Sequence, residues 1–149
     1  MDKFLKTVKW LHVELSSRCN AWCPSCPRNM DGYKLIDGLI EQDLPLEKLI
    51  EIISTLPSLE TIQLNGNLGD PIAAKNVSDV LDYLINKKLS IEIHTNGSLK
   101  TENWWNELGS KIKKVKHKVY VATCFVKAQL LFDLFFACQS VCRTKSAIQ

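Results

Sequence analysis

The sequence predicts an α/β fold of about four β/α units around a parallel sheet. Three observations carry this expectation: four segments of strand-like composition, helical apolar stripes between them, and polar, turn-rich loops following the strands. Short alternating connections imply right-handed crossovers and leave two architectures open, a doubly wound open sheet or part of a β/α barrel. In both, chemistry gathers at the C-terminal ends of the strands.

The first strand is expected over Lys9 to Leu15, where Trp10, Val13 and Leu15 suit burial, and it leads directly into Cys19. Asp31-Gly32 and Asp37-Gly38 punctuate the polar stretch that follows. Behind Pro45, a favoured first-turn residue, Leu46, Leu49, Ile50, Ile53 and Leu56 recur at helical spacing, giving a helix over 45–56 that stops before Pro57. Leu59 to Leu64 reads as the second strand and runs into the turn Asn65-Gly66-Asn67-Leu68-Gly69-Asp70-Pro71.

Val77, Val80, Leu81, Leu84 and Ile85 form the next helical stripe, and Ser90 to Ile93 the third strand, ending in His94-Thr95-Asn96-Gly97-Ser98. Thr101 can cap a third helix over 102–108, with Gly109 suited to the position just past its end. On this helix one of the adjacent Trp104 and Trp105 is expected in the core and the other partly exposed. Lys118 to Thr123 is the fourth strand. The cysteine cluster, the Gly-Asp-Pro turn and the Thr-Asn-Gly turn all follow strands and are expected to share one rim.

A chain of 149 residues, 46% hydrophobic and 23% charged, is large enough for one globular domain with its own core. Its start, Met1 to Lys6, has no apolar signal region, and the apolar run Leu130 to Ala137 is short and interrupted by Asp133. No membrane partner is expected, and the cytoplasm is the expected compartment. Residues 1–108 carry 11 Lys/Arg and 15 Asp/Glu, whereas 109–149 carry 8 and 1, balances of −4 and +7. The basic residues Lys111 to Lys118 fall at a helix end and its turn, where cations are favoured anyway, so nucleic acid is not an expected partner.

Of six cysteines, Cys19, Cys23 and Cys26 lie within eight residues, while Cys124, Cys138 and Cys142 are scattered over the tail without a ligand-like spacing. Three thiols this close suit one soft metal centre, which would hold them as thiolates. Zinc would need a distant fourth ligand, because no His or Cys follows Cys26 until His94. An iron–sulfur cubane on three cysteines would keep one iron with an open coordination position.

The segment Cys19-Asn-Ala-Trp-Cys-Pro-Ser-Cys26 resembles the CxxxCxxC signature of radical S-adenosylmethionine enzymes. Leu68-Gly69-Asp70-Pro71 is similar to that family's Gly-Gly-Glu-Pro turn, with a shorter carboxylate. His94-Thr95-Asn96-Gly97-Ser98 resembles the Thr-Asn-Gly segment of its peptide-modifying branch with SPASM or twitch extensions. The matching positions span roughly residues 10 to 118.

The resemblance implies a partial (β/α) barrel of the TIM type over 1–120, with Cys19, Cys23 and Cys26 holding a [4Fe-4S] cluster. It implies S-adenosylmethionine contacts at Ser25, Asn67, Leu68, Gly69, Asp70 and Asn96, although Ser25 stands where many members have an aromatic residue. It also implies an electron donor such as flavodoxin or ferredoxin, and reductive cleavage of S-adenosylmethionine to a radical that takes hydrogen from a small-molecule or peptide substrate. No catalytic side chain is assigned.

Plainer readings stand beside these. The three clustered cysteines could be structural thiols, Asn67 to Asp70 and Asn96-Gly97 ordinary turns, and His94 a packed rim residue. Residues 121–149 form an apolar and basic tail without further β/α pattern, the expectation for a truncated or frame-altered C-terminus. The alternative function is therefore an iron–sulfur-binding fragment without turnover, or a zinc-stabilised binding module.

Overall fold

The computed structural model describes residues 3–23, 26–30, 33–113 and 119–123. After a 3-10 turn at Phe4–Thr7 come β1 (Trp10–Glu14), a hairpin of β2 (Asn29–Met30) and β3 (Lys34–Leu35), α1 (Leu46–Ser54) and β4 (Thr61–Asn65). A second 3-10 turn, Pro71–Ala73, precedes α2 (Val77–Asn86), β5 (Ser90–Thr95), α3 (Glu102–Lys113) and β6 (Val119–Thr123). The four expected strands and three expected helices are all present. The small antiparallel hairpin, Asn29 opposite Leu35 and Met30 opposite Lys34, is an addition.

The main sheet has the order β1-β4-β5-β6, and every pair is parallel. Its register aligns Leu11 with Ile62, Ile91 and Val119, and Val13 with Leu64, Ile93 and Val121. Each crossover advances the sheet by one strand in the same direction. Right-handed connections of that kind put successive helices on one face. Core packing agrees, since Leu49 and Ile53 of α1, Leu81 and Leu84 of α2, and Trp105 and Leu108 of α3 join Ile62, Leu64, Ile91 and Ile93 in one apolar cluster. The doubly wound alternative is therefore not the arrangement of the described strands; they form an open one-sided sheet.

Helix ends follow from local chemistry. Pro45, at φ −60°, stands just outside α1, and the helix finishes at Ser54 because the N–H groups of Thr55 and Leu56 turn to the carbonyls of Ile52 and Ile53. The expected α3 boundary at Gly109 is corrected: the helix continues to Lys113. Glycine inside a helix costs about 1 kcal/mol relative to alanine. Leu108 and Ile112, one turn apart, both pack on the core and offset that cost. Trp105 is buried while Trp104 is half-buried and donates from Nε1 to Ser78 Oγ at 3.0 Å, as the helical offset implies.

No described helix is long and apolar enough to cross a membrane. Ser25, Cys124, Cys138, Cys142 and the tail from residue 124 lie outside the described residues.

Candidate metal centre

The chain leaves β1 through buried Leu15 and Ser16 and is then held by a returning segment. Ser17 N–H donates to the Gln42 carbonyl at 3.0 Å and Leu44 N–H to the Leu15 carbonyl at 2.9 Å, while Ser16 Oγ donates to Asp43 Oδ1 at 2.6 Å. These bonds fix the entry of the cysteine loop. Its exit is a turn, with Cys26 N–H on the Cys23 carbonyl at 3.0 Å and Asn29 N–H on the Cys26 carbonyl at 3.1 Å. Asn29 Nδ2 also donates to the Cys23 carbonyl at 3.3 Å. Cys19, Cys23 and Cys26 are free and half-buried.

Cys19 Sγ accepts the Ala21 N–H at 3.3 Å and is 3.6 Å from Asn96 Nδ2. Burial pushes the Cys19 thiol above its ordinary value. The Asp70 carboxylate adds to that effect, while the Ala21 N–H, the Arg28 guanidinium and the Asn96 amide pull downward without reversing it. Among the described residues no three His, Cys, Asp or Glu side chains converge into a metal-holding group. Three free, partly accessible thiols on one post-strand loop, with N–H donors on one sulfur, fit thiolate ligation of a cluster.

The turns after β4 and β5 meet this loop. Asp70 is 3% exposed, and its N–H donates to the Arg18 carbonyl at 2.7 Å, directly before Cys19. Its carboxylate accepts Ile72 N–H at 2.9 Å, Asn96 N–H at 2.8 Å and the Thr95 hydroxyl at 2.8 Å. Asn96 then reaches across to Cys19 and to Asn20 Oδ1, the latter at 3.0 Å, and Asn20 Nδ2 donates to Ser98 Oγ at 2.9 Å. The three loops expected on one rim thus form one hydrogen-bonded unit.

Asn67 and Leu68 lie at the outer edge of the same turn. Asn67 N–H donates to both oxygens of Glu14, at 2.9 and 3.0 Å. Gly69 lies so close to Ser16 that a Cβ there would stand 2.0 Å from its carbonyl oxygen. His94 sits on the open sheet face, its Nε2 3.0 Å from Gln63 Nε2.

The sequence placed Thr95 on the rim without its bond to Asp70, and did not single out Glu14, Arg28 or Asp43. Glu14 could have been found as the last polar residue of its strand. Arg28 and Asp43 carry no spacing signal, because their partners are distant in sequence.

No protein-family model matches the chain. Over 101 residues it is 29% identical to the tungsten-containing aldehyde ferredoxin oxidoreductase cofactor-modifying protein of Pyrococcus furiosus, covering 68% of this chain and 27% of that protein. Over 101 residues it is 28% identical to the GTP 3′,8-cyclase of Syntrophomonas wolfei, covering 66% of this chain and 30% of that protein. The chain spans less than a third of the length of these curated relatives, and at this distance it is similar to part of each.

Proposed function

We propose that the chain carries the cluster-binding part of a radical S-adenosylmethionine protein, with Cys19, Cys23 and Cys26 as the ligands of a [4Fe-4S] cluster. The observation that carries this reading is the placement of the three thiols on the loop after β1, bonded through Asn96 and Asp70 to the loops after β5 and β4. The distant similarity to a cofactor-modifying protein and to a GTP 3′,8-cyclase supports it. The one-sided parallel sheet suits an arc of a (β/α) barrel, in which successive helices stay outside.

When bound, the cluster supplies the electron for reductive cleavage of S-adenosylmethionine. The chain's own residues would do the positioning. Asn67, Leu68 and Gly69 contribute turn backbone, Asp70 fixes that turn against Thr95 and Asn96, and the Asn96 amide orients the Cys19 sulfur. Ser25, outside the described residues, is proposed as a further contact of the same cofactor. A flavodoxin- or ferredoxin-like donor and a peptide or other small substrate complete the proposal.

Anaerobic reconstitution with iron and sulfide, followed by electron paramagnetic resonance with and without S-adenosylmethionine, tests it. A cubane signal that shifts on adding the cofactor is expected, and Cys23→Ala is expected to abolish the signal. Full iron retention in that variant would remove the ligand assignment, and uptake of zinc alone would replace the cluster with a structural site.

A further inference from the structure

Arg28 follows Cys26 by two residues and is the largest fully buried side chain among the described residues, at 2% exposure. Its Nε donates to the Ser17 carbonyl at 3.2 Å, two residues before Cys19, so the guanidinium ties the entry of the cysteine loop to its exit. Nη2 pairs with the carboxylate of Glu41. Nη1 is buried and, among the described residues, has no hydrogen-bond partner. A charged donor left unpaired in a low-dielectric setting is costly, unless an anion arrives to meet it.

We propose that Arg28 is the counter-charge of the cysteine-held cluster, a positioning residue that makes the cluster easier to reduce. This rests on the cluster reading above. Thiolate ligation gives such a cluster negative charge, and accepting one electron adds another unit. A fixed cation nearby, inside protein rather than water, therefore favours the reduced form. Glu41 opposes the effect only in part, because its side chain is 40% exposed and water screens it.

The test is a potentiometric titration with dithionite and mediators, followed by electron paramagnetic resonance, on reconstituted wild type, Arg28→Lys, Arg28→Gln and Glu41→Gln. Arg28→Gln is expected to disfavour reduction about tenfold, a shift of about 59 mV to more negative potential for one electron. Arg28→Lys is expected to stay near wild type, and Glu41→Gln to move the opposite way. A purely structural role would lower the melting temperatures of both Arg28 variants and leave the potential unmoved, which overturns the proposal. A shift shared equally by Lys and Gln overturns it as well. Should Arg28→Gln fail to fold, the sign of the Glu41→Gln shift decides. Wild type without iron–sulfur absorbance after reconstitution would sink the cluster reading itself, and this inference with it; a normal cluster with unchanged potentials would sink the inference alone.

Discussion

Both carboxylate oxygens of Asp70 stand 2.8 Å from the Thr95 hydroxyl, which joins the turn after β4 to the last residue of β5. The same hydroxyl accepts the Gly97 N–H at 3.0 Å, so one oxygen organises two loops. Asp70→Ala would strand the Thr95, Ile72 and Asn96 donors, and a loss of about 3 kcal/mol is expected. Thr95→Val is expected to lose about 1.5 kcal/mol. Urea unfolding by circular dichroism measures both, and equal midpoints for Asp70→Ala and wild type would deny the carboxylate its bracing role.

Gly69 is a matter of space rather than backbone freedom. An added Cβ would lie 2.0 Å from the Ser16 carbonyl oxygen and 2.7 Å from Ser17 Cα, both main-chain atoms that cannot swing away. Gly69→Ala is expected to cost about 3 kcal/mol and to push the Asp70 turn off the cysteine loop. Gly38, at φ +81° with open space around it, is the contrast: alanine there costs only the backbone strain, about 1 kcal/mol. Thermal melts of the two variants should separate clearly.

Asp43 gives the structure an acid-sensitive joint. Burial alone would raise its carboxyl, but the Ser16 hydroxyl, the Lys75 N–H and the Arg18 guanidinium outweigh burial and hold it below the ordinary aspartate range. A depressed folded value means that the stabilisation is complete above the ordinary value of about 3.9 and disappears as pH falls through the folded value. Wild type is therefore expected to lose stability below about pH 4 more steeply than Asp43→Asn. Parallel acid limbs in urea titrations would contradict this.

Lys88 adopts φ 62°, an unusual conformation for a side-chain-bearing residue. It closes α2: its N–H reaches the Ile85 carbonyl at 3.0 Å, and Leu89 N–H reaches the Leu84 carbonyl at 3.3 Å. Lys88→Gly is expected to stabilise the chain by about 1 kcal/mol, since glycine takes this conformation without a Cβ penalty. A lower melting temperature for that variant would show that the lysine stem contributes packing.

The long-range layout was readable because two periodicities alternate along the chain. Ile62 and Leu64, then Ile91 and Ile93, repeat every second residue, while Val77, Val80, Leu81 and Leu84 repeat at helical spacing. The β2–β3 hairpin was not readable, since two-residue strands leave no period to detect. At Gly109 a local stop signal lost to tertiary packing through Leu108 and Ile112. At the site, the three loops could be placed on one rim from topology alone. The contacts of Arg28 with Glu41 and of Glu14 with Asn67 depend on how loops fold back, which residue spacing does not encode.

The one-sided sheet gives the fold a parity. Odd and even strand positions go to different environments: Ile62, Leu64, Ile91 and Ile93 face the helices, while Gln63, Glu92 and His94 occupy the alternate, half-buried rows. Shifting β5 by one residue would put Glu92 and His94 into the dry layer and Ile91 and Ile93 onto the wet one, whereas a shift of two preserves the assignment. A single-residue insertion inside β4 or β5 is thus a change of side for everything beyond it, including the register that delivers Asp70 and Asn96 to Cys19.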